Sequence, residues 1–295
     1  MAEDKLPWQS KLVLLVVLPF ASVDVALDCL SWPAHGASVA AWAVGASALL
    51  GLLTWLLRAA QPFAALTGAV ITASLAFSTG IVPHQPWHSA LTPVLVVALL
   101  AFAATRAGRH KKERLGTAEG RRGRSAAQIA ANLGVAALVA SSPVEMALMK
   151  TGLAAGVMAP YTVAALALAA LAEAAADTVS SEIGQVLGAP PRMITTLKVV
   201  DPGRDGAISL AGTFAGILAA AIVAASGAWA LGCGSKLFVV STAAAVFGLF
   251  FDSLLGATLE QRGWLNNDAV NFLSTAGAAG FALFLLAFIP HPGVG

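Results

Sequence analysis

Carboxylates recur at helical spacing within long apolar stretches of this chain. One stretch reads Glu173-Ala-Ala-Ala-Asp177-Thr-Val-Ser-Ser181-Glu182, where intervals of four set Glu173, Asp177 and Ser181 on one face of a helix. A second, Phe251-Asp252-Ser253-Leu-Leu-Gly256-Ala-Thr258-Leu-Glu260, aligns Asp252, Gly256 and Glu260 in the same way. A third opens Asn266-Asn267-Asp268-Ala-Val-Asn271. An ionisable side chain at mid-membrane depth costs about 2.5–3.5 kcal/mol on insertion scales, so such residues face a protein interior or a wet cavity. At 1.5 Å per residue, Asp177 and Asp252 lie only about 15 and 11 Å from one end of their helices. Neighbouring carboxylates repel unless protonated or bridged by a cation, and oxygen donors alone suit Mg²⁺ rather than zinc. A Mg²⁺ site is the chemistry these residues predict.

A Gly/Pro-rich loop follows the first stretch: Gly188-Ala-Pro-Pro-Arg192-Met-Ile-Thr195-Thr196-Leu-Lys198-Val-Val-Asp-Pro-Gly203-Arg204-Asp205-Gly206. Glycines before a helix let backbone amides approach an anion, the helix N-terminus adds positive potential, and Lys and Arg supply charge-assisted hydrogen bonds. Chemically that is a phosphate cradle, although no Gly-x-x-x-x-Gly-Lys-Ser/Thr motif occurs. An ordinary cytosolic loop with turn glycines fits the same residues. A basic segment carries Arg106, Arg109, Lys111, Lys112, Arg114, Arg121, Arg122 and Arg124. Such a run serves topology and anionic-lipid attraction, and Arg121 and Arg122, between glycines near Gln128 and Asn132, could also reach a phosphate. For Asp24 and Asp28 helix packing is the expected role. His35, His84 and His88, beside Trp32 and Trp87, are scattered over two loops and are weak evidence for a metal site.

The elements that must hold these residues are set by composition. With 295 residues, 58% hydrophobic and 11% charged, and mean hydropathy +0.81, the chain has too little polar sequence to cover a soluble globule. Long Ala/Leu/Val runs without period-2 alternation exclude a barrel, which leaves an all-α polytopic bundle. On a ruler of about 20 residues per crossing, nine spans fall near 12–31, 37–57, 62–82, 90–106, 128–149, 159–187, 207–230, 237–259 and 268–289. With the N-terminus cytosolic, only Lys150 and Lys236 of the 17 Lys/Arg fall outside, as cytosolic enrichment of Lys and Arg demands. The first apolar run is read as a retained span. The chain divides into a four-span region 1–106, a basic cytosolic loop 107–127 and a five-span region 128–295 that holds nearly all the intramembrane polarity. Cys29 and Cys233 make no disulfide framework. Nucleic-acid binding is not expected, because the basic loop has no aromatic residues and lies against a membrane.

These residues together resemble an integral-membrane family catalogued as unknown-function domain ninety-two, whose plant members are phytyl phosphate kinases. The marks are Gly120-Arg121-Arg122 with Gln128 and Asn132, Ala176-Asp177-Thr178 with Ser181-Glu182-Ile183-Gly184, Ile194-Thr195-Thr196 with Lys198, Gly203 with Gly206 and Ser209, Asp252 through Thr258, and Asn267-Asp268 with Asn271. The layout is more distantly similar to dolichol kinases and CDP-diacylglycerol synthases, which use CTP. Arg204, Glu260 and Ala269 stand where the family pattern has Thr, Gln and Thr. The resemblance implies a kinase that transfers the γ-phosphoryl of a nucleoside triphosphate, CTP by kinship, to a prenyl monophosphate such as phytyl or geranylgeranyl phosphate. It implies catalytic Asp177, Lys198 and Asp252, and Mg²⁺ held by Asp177 and Asp252 with Glu182 assisting. Nucleotide or phosphate contacts fall to Thr195, Thr196, Lys198, Gly203, Arg204, Gly206, Arg121, Arg122, Asp268 and Asn271. The expected setting is a bacterial inner membrane with the site facing the cytosol. A CTP:lipid-phosphate cytidylyltransferase, a prenol kinase, and a cation- or proton-coupled transporter using Glu173, Asp177, Asp252 and Asp268 stay open at this point.

Overall fold

Small residues let one helix sit at the centre of this molecule. The computed structural model describes residues 6–31, 37–80, 85–118, 120, 123–151, 159–187 and 190–288. The Ala/Leu-rich helix α8 (Ala159–Val186) runs through the middle, with 94% of its most apolar window buried, against 22% for the windows of α1 (Trp8–Ser31) and α2 (Ala37–Leu56). Packed on it are α4 (Leu91–Arg106), α6 (Ala126–Ala140), α9 (Leu210–Ala230), α10 (Gly234–Leu255) and α11 (Asn267–Phe288). Outside these, α1 lies on α3 (Pro62–Ser78), α6 and α11, and α2 lies on α3. A Cβ on Gly212 would sit 2.6 Å from the Ser180 carbonyl oxygen, and one on Gly216 would sit 2.8 Å from that of Ala176. This small-xxx-small pair therefore sets the close approach of α9 to α8 beside Asp177.

Among the described residues, six helices are long and apolar enough to cross a membrane: α1, α2, α8, α9, α10 with its extension to Glu260, and α11. Two bent pairs raise the number to eight: α4 with α5 (Arg109–Leu115), at 63°, and α6 with α7 (Ser142–Thr151), at 53°. The molecule is thus a membrane helical bundle of six to eight candidate spans. The remaining expected crossing, α3, is an apolar helix of 17 residues. The stretch expected as a span over 128–149 is a bent pair with its break at Ser141. Ser141 is extended, at φ −71° and ψ 149°, because Pro143 would clash with the carbonyl four residues back and cannot donate to it. The basic segment is not all loop either, since α5 forms within it between the left-handed Gly108 and Gly116.

Hydrogen bonds show which ends of the helices meet. Gln9 Nε2 donates to the Trp264 carbonyl at 2.7 Å, Asn266 Nδ2 to Ser10 Oγ at 2.8 Å, Arg106 Nη2 to the Leu57 carbonyl at 2.7 Å and Lys111 Nζ to the Val186 carbonyl at 2.8 Å. The starts of α1 and α11 and the ends of α2, α4 and α8 therefore share one end of the bundle. His88 Nδ1, 3.0 Å from the Ala230 carbonyl oxygen, ties the opposite end. Of the described Lys and Arg residues, only Lys150 and Lys236 belong to that opposite end.

Candidate active site

At the cation-rich end, a polar cavity of about 330 Å³ opens between α6, α8, α10, α11 and the loop before α9. Asp177 and Ser181 of α8 face it, as do Asp252 and Ser253 of α10 and Asn267 and Asn271 of α11. Asp252 interacts electrostatically with Asp177, and its Oδ2 is buried without a hydrogen-bond partner. Glu173, one turn deeper on α8, is 1% exposed and does not line the cavity. The interval Asp252-Gly256-Glu260 does not run on as regular α-helix. Gln261 N bonds the Gly256 carbonyl oxygen, five residues back, closing a π-helical turn over Gly256–Glu260 that still brings Glu260 to the cavity wall.

The loop before α9 folds back as a two-stranded antiparallel hairpin, β1 (Arg192–Met193) with β2 (Ala207–Ile208). Gly203, Arg204 and Gly206 line the cavity. Both glycines are left-handed, at φ 84° and 74°, where a side chain is strained. Gly206 also packs on the π turn, since a Cβ on Gly256 would lie 2.8 Å from the Gly206 nitrogen. Ser209 caps α9 by accepting from Gly212 N at 3.1 Å and completes this wall.

Thr195, Thr196 and Lys198 are placed elsewhere. They are exposed at the tip of the hairpin, where Leu197 is left-handed and the Lys198 carbonyl accepts from Met193 N, and none of them lines the cavity. Asp268 also stays outside, accepting a hydrogen bond from Ser10 in the first turn of α11. Glu182 lines the cavity, but its carboxylate is paired with Lys112. Arg121 and Arg122 lie outside the described residues, as do His35, His84 and Trp32.

Arg124 and Lys112 were not distinguished from their basic neighbours by sequence. Arg124 is pinned through its backbone, with its N donating to the Ala59 carbonyl and its own carbonyl accepting from Gln61 N, both at 3.0 Å. Its guanidinium reaches the cavity, 3.4 Å from Thr178 Oγ1 and within Coulombic reach of Asp177. A sequence signal existed for it. Ser125 and Gln128 form a capping box that starts α6 and puts Arg124 immediately before that helix. Lys112, 1% exposed, donates to the Ala104 and Thr105 carbonyls at 2.9 Å each besides Glu182. Nothing in a run of similar cations marks it.

Among the described residues, no three His, Cys, Asp or Glu side chains come together as a ready metal cage. Mg²⁺ ordinarily takes only one or two carboxylates and fills its remaining positions with water and substrate phosphate oxygens. Asp177 with the unpartnered Oδ2 of Asp252 fits that requirement.

A helical membrane protein with a polar pocket sunk into one end is the class that the bundle and its site define. Residues 37–279 match the family described as Integral membrane protein DUF92, and the chain belongs to that family. An uncharacterized membrane protein of Synechocystis is 30% identical over 257 residues, which cover 79% of this chain and 95% of that protein. An uncharacterized membrane protein of Methanocaldococcus jannaschii is 42% identical over 108 residues, covering 37% of this chain and 45% of the relative. Protein VTE6, chloroplastic, of Arabidopsis thaliana is 35% identical over 116 residues, 38% of this chain and 35% of its own length. The alignments with the archaeal and plant proteins thus span less than half of those relatives. No solved structure matches the chain.

Proposed function

We propose that this protein is a membrane phosphotransferase that moves the γ-phosphoryl of CTP onto a prenyl monophosphate, phytyl or geranylgeranyl phosphate, giving the diphosphate and CDP. The observation that carries the reading is the convergence of Asp177 and Asp252 with Arg124 and Arg204 on one cavity at one end of the bundle. It is supported by the resemblance to a family with phytyl phosphate kinases among its plant members and by the likeness to the Arabidopsis protein. Phosphoryl transfer needs in-line positioning and charge neutralisation rather than a covalent intermediate, and this cavity supplies both kinds of group. Asp177 and Asp252 would hold Mg²⁺, which would neutralise charge on the triphosphate. Arg204, with the glycine-flanked backbone around it, binds the donor phosphates, and Arg124 orients the acceptor phosphate. An acceptor oxygen bonds to the γ-phosphorus while the bond from that phosphorus to the β–γ bridging oxygen breaks, and CDP leaves. The acceptor is already anionic near neutral pH, so no general base is required.

The same reading takes α3 and both bent pairs as crossings, nine in all, and places the cation-rich end in the cytosol of a bacterial inner membrane. The test is incubation of the purified protein with Mg²⁺, phytyl phosphate and each of CTP, UTP, ATP and GTP, with products identified by mass spectrometry. Phytyl diphosphate with CDP is the expected result. A cytidylyl-linked lipid with diphosphate would replace the kinase by a cytidylyltransferase, and absence of turnover with every nucleotide would overturn the assignment.

A further inference from the structure

A second and larger cavity, about 590 Å³, lies between α2, α3, α4 and α6 and touches α8 at Ala174. Its walls are mostly apolar and small, as at Leu50, Ala65, Gly68, Val94 and Ala98, with Thr54 and Thr72 interspersed. Along α4 it extends from Val94 to Arg106, a depth of about 18 Å at 1.5 Å per residue, more than half of a hydrocarbon core about 30 Å thick. Its volume falls within the roughly 300–1,000 Å³ of ligand pockets. The charged rim is confined to the cation-rich end, where Arg58, Arg106, Arg109 and Arg124 line it with His110 and Glu113. Part of this rim is already engaged, since Arg109 pairs with Glu113 at 3.0 Å and Arg106 lies 4.0 Å over the Phe102 ring. Arg124 and Asn132 line both cavities, so the apolar chamber and the carboxylate cavity meet at one guanidinium.

An apolar shaft with cations only at its mouth suits an amphiphile with a long hydrocarbon chain and an anionic head. We infer that this chamber is the acceptor-lipid site, holding a single isoprenoid chain between α2, α3 and α4 with its terminal phosphate at Arg124. The inference rests on the phosphotransferase reading for the identity of the head group and gives the N-terminal helices a task in that reaction. The polar cavity is left to the nucleotide, and the acceptor phosphate stands at the junction, where the two substrates must meet.

The experiment uses the full chain in nanodiscs without nucleotide and a prenyl monophosphate carrying a diazirine at the far end of its chain. After photolysis, adducts are expected on α3 and α4 around Thr72, Val94 and Val97. Unlabelled phytyl phosphate should displace the probe, whereas phytol and dioleoyl phosphatidic acid should compete at least tenfold less well. Ala98→Phe and Gly68→Leu both fill the chamber and should each lower labelling at least tenfold. At Gly68 a Cβ meets nothing nearer than Ile129 Cγ2, at 3.6 Å, so the second variant keeps the test valid if the first does not fold. Adducts confined to bilayer-facing residues such as Leu49 or Leu99, labelling unchanged in the folded variants, or equal competition by phytol or phosphatidic acid would each overturn the inference. Correct labelling with no transfer from any nucleotide would instead fail the phosphotransferase reading alone, because the probe needs no turnover.

Discussion

Asp252 exposes the central tension of the site. A buried carboxylate oxygen without a donor loses its hydration and is retained where a proton, a cation or a ligand compensates it, and in this cavity a cation is the compensation that the proposed reaction would use. Asp177→Asn and Asp252→Asn should therefore each lower transfer by at least about 100-fold while leaving the protein monodisperse in detergent. Turnover within a few-fold of wild type in both variants would remove the metal assignment. Arg204 and Lys198 part company here, although sequence reading grouped them. Arg204→Ala should raise the KM for nucleotide about tenfold, the cost of one charged hydrogen bond. Lys198→Ala, at the exposed hairpin tip, should leave kcat and KM within about threefold, and a large loss would mean that the hairpin folds over the bound nucleotide.

Helix α5 has seven residues, too few to be stable alone, and what holds it is the set of helix ends that it caps. Lys112 satisfies the last carbonyls of α4, Lys111 reaches that of Val186 at the end of α8, and the Lys112–Glu182 pair locks the two helices together. Lys112→Met should destabilise the protein by about 3 kcal/mol, because Glu182 is left largely buried without its counter-ion. Adding Glu182→Gln should recover most of the lost thermal stability in detergent. An unchanged melting temperature in the single variant would show the pair to be dispensable. Gly216→Leu forces α9 away from α8 beside Asp177 and should cost both stability and transfer. Wild-type melting and turnover in that variant would show that the close approach is not required.

Across the whole molecule, cations and catalytic candidates share one end, while an apolar exterior surrounds the middle. The orientation this implies can be checked in a variant lacking Cys29 and Cys233. A cysteine introduced at Thr196 should react with an impermeant maleimide only from the cytosolic side, and one at Lys236 only from the other. Labelling of both from the same side would refute the proposed topology.

Composition and span length by themselves determined that this chain lives in a bilayer as a helical bundle, because no other solvent accepts 58% hydrophobic residues with 11% charged. The four-residue intervals marked the carboxylate faces, since that spacing is local to one helix, and Asp177, Asp252 and Asn271 do meet at one cavity. Sequence ranked the cations only in part, singling out Arg121 and Arg122 between their glycines. Which of the described basic residues turns inward depends on helix ends brought together from distant parts of the chain, so Lys112 emerged only in three dimensions, whereas the capping box that follows Arg124 was legible. The hairpin that carries Lys198 away from the cavity and the π turn that reshapes Gly256–Glu260 are likewise set by packing against other segments. The apolar chamber had no sequence mark at all, because a cavity is the space that helices distant in sequence leave between them.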